Sequence, residues 1–348
     1  MIIRVKIGSD PAAVQRALVE RGLWVRRLDE SGPQAAVLFL VEEHSRAVES
    51  ASLLSIEGVA GVAIAPSAHP RVDAQARIVT VAGIDVGVGA APVVMAGPCA
   101  IESERQVREV ADRLRPRGVT FLRGGAFKPR TSPYSFHGHG DAALHWMRAA
   151  ADENGMRVVT EVMSPEDAPR VAELADLVQI GSRSMQNFPL LKAVAKTGKP
   201  VLLKRGMAAS VDEWLAAGEW CLAHGAPSVI FCERGIRGFD PSTRNLLDLG
   251  AVALLATVHG LPVIVDPSHA TGRRDLIAPL ARAAIAAGAA GLMLETHDHP
   301  GAALSDGPQA LTAEELADVL ASIEPVQEKR AASPGKTDPA GKTRRVAS

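Results

Sequence analysis

The segment Leu122-Arg123-Gly124-Gly125-Ala126-Phe127-Lys128-Pro129-Arg130-Thr131-Ser132 carries the densest chemistry in the chain. An apolar run ends there in three cations and two hydroxyls, spaced by glycines and a proline. Glycines let a ligand approach the backbone. Arginine offers a forked charge and lysine a point charge to phosphate or carboxylate. One such loop reads as solvated surface; the same event, however, recurs along the chain. Later apolar runs end in Glu161, Gly181-Ser182-Arg183, Lys204-Arg205-Gly206, Cys232-Glu233-Arg234-Gly235, Asp266-Pro267-Ser268-His269 and Glu295-Thr296-His297. An earlier one ends in Cys99.

Two subsets stand out. Arg123, Lys128, Arg183, Lys204 and Arg234 are cationic and would repel one another around one mouth unless an anion binds among them. The ligand they imply carries several negative charges, as a phosphorylated acid does. Cys99, His269 and Glu295, with Asp306 as a further candidate, offer thiolate, imidazole and carboxylate, donors that gather on a divalent metal. Their wide separation gives no short metal motif. His297 and His299 alternate with Glu295 and compete with it as ligands, Glu295 being the deepest of the three.

The elements that must position these residues follow from periodicity. Apolar β-type runs begin near Val93, Val119, Arg157, Leu177, Pro200, Ser228, Pro262 and Gly291, separated by helix-compatible stretches. They are continuous rather than alternating, as expected of strands buried on both faces. Eight such units predict a (β/α)8 TIM barrel over 93–325, whose strand ends converge on one mouth. An open doubly wound sheet is the alternative; the first strand-to-helix turn, Gly97-Pro98-Cys99, lacks a dinucleotide fingerprint. Ser103 with Gln106 resembles a capping box.

Residues 1–66 predict strands over 2–7, 24–28, 35–41 and 59–64 and helices over 11–20 and 45–54. Asp10 is placed to cap the first helix. The order βαββαβ is a small ferredoxin-like (ACT-like) domain. Residues 67–92 read as a linker with a short β pair. Residues 326–348 read as a disordered basic tail, most biased in composition from about Ala331.

Composition excludes some classes. The 348 residues are 47% hydrophobic with a formal charge of −1, which gives no reason to expect nucleic-acid or membrane binding. Three cysteines make no disulfide framework, and a reducing cytoplasm is expected.

The motifs AGPCAIES, FLRGGAFKPRTSPYSF, QIGSRSMQN, PVLLKRG, CERGIR, DPSHATGRRDL and ALSDGPQAL, in this order, resemble the 3-deoxy-D-arabino-heptulosonate 7-phosphate (DAHP) synthases, in the form with an N-terminal ferredoxin-like regulatory domain. The resemblance runs from about Val93 to Leu320, and the βαββαβ order extends it to residue 1. It implies condensation of phosphoenolpyruvate with erythrose 4-phosphate, releasing phosphate at the entry to the shikimate pathway. By similarity Cys99, His269, Glu295 and Asp306 ligate a divalent metal, Mn²⁺ foremost, with Fe²⁺, Co²⁺ or Zn²⁺ as alternatives. Arg123, Lys128, Gly181, Ser182, Arg183, Lys204 and Arg234 hold phosphoenolpyruvate. Arg130, Thr131 and Ser132 take the aldose phosphate, and Lys128 and His269 are catalytic. The group that activates water is open between Glu161 and metal-bound water.

A sister family makes 3-deoxy-D-manno-octulosonate 8-phosphate from arabinose 5-phosphate and has an Ala-Asn-Arg-Ser-like sequence after the shared lysine. Pro129-Arg130-Thr131-Ser132 stands here instead, which favours the four-carbon sugar. Sialic acid synthases are a more distant alternative, and a non-catalytic barrel would have lost a ligand or cation. The resemblance further implies a homotetramer and a tyrosine or phenylalanine effector on residues 1–66; a plain packing module is the other reading. Ala270-Thr271-Gly272, Thr296 and Asp298-His299 depart from the family pattern and leave metal preference and substrate scope open.

Overall fold

The computed structural model describes residues 1–29, 36–128, 134 and 136–332, and side chains as far as residue 328. The chain divides into two compact units, Met1–Asp73 and Ala74–Pro334.

In the first unit, β1 (Ile2–Val5), β2 (Val25–Asp29), β3 (Val37–Val41) and β4 (Val59–Ala63) form an antiparallel sheet in the order β2-β3-β1-β4. With the helices Pro11–Glu20 and Ser50–Leu54 this is the ferredoxin-like arrangement. Asp10 caps the first helix, accepting from the Ala12 N–H at 2.9 Å. The second helix is shorter than its periodicity predicts. Ser45 Oγ accepts from the Trp24 N–H (2.9 Å), and the Arg46 N–H donates to the Gly22 carbonyl, so 45–49 are tied to the chain beside β2. Ile3, Val5, Val14, Leu18, Phe39 and Leu53 fill the core of this unit.

In the second unit, a hairpin of β5 (Ile78–Val81) and β6 (Ile84–Gly87) precedes eight parallel strands. These are β7 (Val93–Gly97), β8 (Phe121–Arg123), β9 (Arg157–Val162), β10 (Leu177–Ile180), β11 (Val201–Lys204), β12 (Val229–Glu233), β13 (Val263–Val265) and β14 (Gly291–Glu295). They close into a barrel, β14 pairing with β7 from Gly291↔Val93 to Glu295↔Gly97. Met95, Phe121, Val159, Leu177, Leu202, Ile230, Ile264 and Met293 meet in the core. Inward-pointing apolar side chains of every strand fill such a barrel, so function is left to its ends.

The segment 67–92 is more than a linker. Val79, Val81 and Val86 of the hairpin are buried in the same core as the barrel strands. Arg157, at the start of β9, donates to the Ala82 carbonyl (2.8 Å). Gln75 exchanges two hydrogen bonds with Val229, the first residue of β12 (2.9 and 2.7 Å). The hairpin therefore covers the barrel at its N-terminal end. The last helix, Ala313–Ala332, continues through residues 326–332, where a disordered tail was expected. Gln327, Glu328, Lys329 and Arg330 are strong helix formers, and the Pro/Gly-rich composition begins only after them.

Candidate active site

Gly97 ends β7 with φ +153°, and a Cβ there would lie 2.0 Å from the Arg123 carbonyl oxygen. Glycine is required for β7 and β8 to approach this closely. That approach sets Cys99, two residues on, beside Arg123 and Lys128. Glu295 closes β14 on the other side of β7, and His269 lies in the short helix Pro267–Thr271 after β13. Asp306, at φ +53°, follows on the loop after β14.

The donor atoms of Cys99, His269, Glu295 and Asp306 all lie within 4.8 Å of one another. Cys99 Sγ is 3.0 Å from Asp306 Oδ2, and His269 Nε2 is 3.2 Å from Glu295 Oε1. Sulfur, nitrogen and two oxygens from separate segments converge, three of the groups being anions when deprotonated. Burial pushes the Cys99 thiol up to about 12, with Glu295 acting the same way and Lys128 and Arg123 opposing. Burial lowers His269, against Asp266 and Glu295, which favours a neutral ring with a free lone pair. Asp306 is held at about 2: burial raises it, but Cys99, His269, Arg244 and Lys128 outweigh burial. A soft donor, an imidazole and two hard oxygens at this spacing fit a divalent cation.

Around these four lies a set of hydrogen bonds that the sequence did not disclose. Gln309, buried at 3% exposure, donates from Nε2 to Glu295 Oε2. Arg244 Nη1 donates both to Gln309 Oε1 (3.3 Å) and to Asp306 Oδ1 (3.2 Å), so one guanidinium braces both carboxylates. Ser268 Oγ accepts from the Glu295 N–H (3.2 Å). Asp266, fully buried, accepts from His269 Nδ1 (2.8 Å) and Lys204 Nζ (2.6 Å). Burial alone would raise its pKa; His269 and Lys204 hold the carboxyl well below the usual range.

The cations gather at the same mouth. Arg123 Nη1 donates to the Pro98 carbonyl (3.0 Å) and Glu295 Oε1 (3.1 Å). Lys128 Nζ lies 2.8 Å from the Cys99 carbonyl and 2.9 Å from its sulfur. Arg183 is exposed on the turn Ser182–Ser184, directly after Gly181. Arg234 is 6% exposed, yet its Nη1 has no hydrogen-bond partner among the described residues. Burial lowers its pKa, Asp266 opposes, and the positive charges of Arg244 and Arg183 lower it further. A buried guanidinium with an idle donor and like charges beside it has the chemistry to receive an anion.

Several expectations separate here. His297 turns away from the four donors: Nε2 is 3.6 Å from Glu102 Oε1, and Nδ1 accepts from the His299 N–H (3.0 Å). Cys232 belongs to the hydrophobic core, its thiol pushed up to about 12 by burial. Arg205, adjacent to Lys204, pairs with Glu233 (3.2 Å) and Asp248 (2.8 Å) instead of facing the mouth. Glu161 accepts from Gln179 Nε2 (3.0 Å) and is felt electrostatically by Arg123. Pro129, Arg130, Thr131 and Ser132 lie outside the described residues.

Comparison with known proteins gives a consistent picture. The model of the DAHP synthetase I family matches residues 70–331. A Thermotoga maritima protein named phospho-2-dehydro-3-deoxyheptonate aldolase is 51% identical over 218 residues, 63% of this chain and 64% of that relative. The match thus spans slightly less than two thirds of the relative's length. A 2-dehydro-3-deoxyphosphooctonate aldolase of Acidithiobacillus ferrooxidans is 35% identical over 258 residues, 68% of this chain and 90% of that one. Among solved structures, the Thermotoga maritima phospho-2-dehydro-3-deoxyheptonate aldolase (DAHP synthase) superposes with a TM-score of 0.75 at 37% identity. It covers 95% of this chain and 98% of its own. A truncated form of the Thermotoga maritima 3-deoxy-D-arabino-heptulosonate 7-phosphate synthase gives 0.68 at 41% identity, over 73% and 93%.

Proposed function

The chain belongs to the DAHP synthetase I family, and we propose that it condenses phosphoenolpyruvate with D-erythrose 4-phosphate and water to give 3-deoxy-D-arabino-heptulosonate 7-phosphate and phosphate. The observation that carries this reading is the pairing, at one barrel mouth, of a four-donor cation cradle with a buried guanidinium, Arg234, whose Nη1 has no hydrogen-bond partner among the described residues. The first suits an aldehyde to be polarised, the second a phosphorylated acid. Higher identity to the heptulonate enzyme than to the octulosonate enzyme, with Pro129-Arg130-Thr131-Ser132 after Lys128, favours the four-carbon aldose.

Cys99, His269, Glu295 and Asp306 would hold a divalent metal, Mn²⁺ before Fe²⁺, Co²⁺ or Zn²⁺, which when bound supplies Lewis-acid polarisation of the aldehyde oxygen. Arg123, Lys128, Arg183, Lys204 and Arg234, with the backbone of Gly181 and Ser182, hold the phosphate and carboxylate of phosphoenolpyruvate and aim its carbon 3 at the aldehyde carbon. Arg130, Thr131 and Ser132 take the phosphate of the aldose. As the new C–C bond forms, Lys128 Nζ donates a proton to the aldehyde oxygen. Water adds at carbon 2 of the former phosphoenolpyruvate, and collapse of that adduct breaks the C–O bond to phosphate. Residues 1–66 are read as the site of a tyrosine or phenylalanine effector. The protein is read as a cytoplasmic homotetramer; no helix among the described residues is long and apolar enough to cross a membrane.

The deciding assay follows phosphate release from phosphoenolpyruvate with erythrose 4-phosphate and, separately, arabinose 5-phosphate, before and after chelation and Mn²⁺ restoration. Metal-dependent release with the four-carbon sugar alone is expected; release with arabinose 5-phosphate alone would overturn the aldose assignment. Tyrosine or phenylalanine added to the same assay should inhibit, and indifference to both would reduce residues 1–66 to a packing module.

The brace on the carboxylates gives a second expectation. Gln309→Leu strands Glu295 Oε2 and detaches it from Arg244, which should weaken metal retention by about ten- to a hundredfold. Competition with a chelator of known affinity reads this directly, and parental retention would remove Gln309 from the metal site's support.

A further inference from the structure

We propose that Asp266 couples the two halves of the site, so that a divalent metal and phosphoenolpyruvate bind with positive cooperativity. The inference rests on the reading of His269 as a metal ligand and Lys204 as an anion contact.

Its physical basis is the sharing of one atom. Asp266 Oδ2 accepts from both Lys204 Nζ (2.6 Å) and His269 Nδ1 (2.8 Å). The other oxygen, Oδ1, is committed to the His269 backbone N–H (3.0 Å). Asp266 is 0% exposed, so the charge on Oδ2 is divided between these two donors in a medium where each hydrogen bond counts for more than in water. A cation on His269 Nε2 withdraws electron density from the ring and makes Nδ1–H the stronger donor. Oδ2 then neutralises Lys204 less, and more of the ammonium charge is offered to an anion. In the other direction, an anion on Lys204 loosens its hold on Oδ2. The freed oxygen accepts more fully from Nδ1–H and raises the basicity of Nε2. The two effects must be equal, because coupling between binding sites is reciprocal.

Arg123 repeats the device in a simpler form. Its Nη1 donates to Glu295 Oε1 (3.1 Å), and that same oxygen faces His269 Nε2 at 3.2 Å. Two buried ion pairs therefore cross from the anion side to the metal side, and Asp266 carries the one that can be cut without touching a proposed ligand or anion contact. A capping role alone would make Asp266 a structural residue; Asp266→Asn keeps an oxygen for the His269 N–H and removes the shared charge.

The test is calorimetric titration of phosphoenolpyruvate into the EDTA-stripped and the Mn²⁺-reloaded full-length protein, for the parent and for Asp266→Asn. In the parent, Mn²⁺ is expected to tighten phosphoenolpyruvate binding by about five- to a hundredfold. In Asp266→Asn this ratio should fall by at least about threefold, the Arg123 bridge accounting for what remains. Lys204→Met leaves Oδ2 to His269 alone and should bind Mn²⁺ more tightly than the parent when phosphoenolpyruvate is absent. A parental ratio near one overturns the coupling whatever the variants do, and a parental ratio retained in Asp266→Asn overturns the role of Asp266. Failure of the parent to bind phosphoenolpyruvate in either state would instead bring down the functional reading, and this inference with it.

Discussion

Alanine in place of Cys99 is expected to lower kcat/KM for the condensation by at least about a thousandfold and to leave the purified protein with far less than one metal ion per chain. Cys99 provides the single sulfur among the four donors, and it is the donor in contact with Lys128. Its Sγ lies 3.0 Å from Asp306 Oδ2, 2.9 Å from Lys128 Nζ and 3.2 Å from Ser305 Oγ. Deleting it would remove a proposed ligand and also the atom against which Lys128 is set. Fold is not at issue: alanine at a small, 3% exposed position leaves a void of one sulfur atom, a modest cost beside the loss of chemistry. Metal content by atomic absorption and rate by phosphate release are the two readouts. Phosphoenolpyruvate affinity separates the effects, since Arg183, Lys204 and Arg234 are untouched. It should fall no further than metal stripping lowers it in the parent. Full metal content with a parental rate would refute the ligand assignment.

The barrel was legible because its strands are buried on both faces and so read as unbroken apolar runs. Each strand also ends in polar residues that no core would accept. In a barrel those ends converge, which places Cys99, Arg123, Lys204, Arg234, His269 and Glu295 at one mouth from sequence alone. The partners of these residues were not legible. Asp266 was visible at the end of β13, yet nothing in Asp-Pro-Ser-His says that one of its oxygens serves both a lysine 62 residues away and a histidine three residues on. Gln309 and Arg244 sit on loops 65 residues apart and meet only because the barrel closes. Lys204 and Arg205 are neighbours of equal charge; strand alternation sends one to the mouth and the other to Glu233, and the sequence alone does not say which. The hairpin at residues 78–87 was legible as a short β pair, and its alternation also carries a signal of burial against the barrel. Val79 and Val81 alternate with polar or exposed positions, the pattern of a strand with one face buried.

Arg205→Met is expected to cost about 3–5 kcal/mol of stability, because it strands a buried acid. Arg205 Nη1 donates to Glu233 Oε2 (3.2 Å) and Asp248 Oδ2 (2.8 Å), its Nε donates to the Ala209 carbonyl (3.1 Å), and its guanidinium lies 5.7 Å from the Trp214 ring centroid. Glu233 is 0% exposed, and burial already raises its pKa against the pull of Arg205. Without Arg205 that pull is gone, and the carboxyl in the folded protein takes up a proton more readily still. An acid whose folded pKa lies above its unfolded value binds more protons when folded, so the variant loses stability as pH rises through the interval between the two. Denaturant unfolding should therefore show a larger deficit against the parent at about pH 7.5 than at about pH 5.5. Arg205→Met combined with Glu233→Gln removes both charges and should recover more than half of the loss. Glutamine at 233 keeps an oxygen for the Gly235 N–H, which Glu233 Oε1 accepts at 2.7 Å. That bond lies beside Arg234 and has an acceptor oxygen in both variants, so the comparison isolates the charge at position 233. A deficit independent of pH, or a double variant no more stable than the single one, would mean that Arg205 acts through packing on Trp214 and not through Glu233.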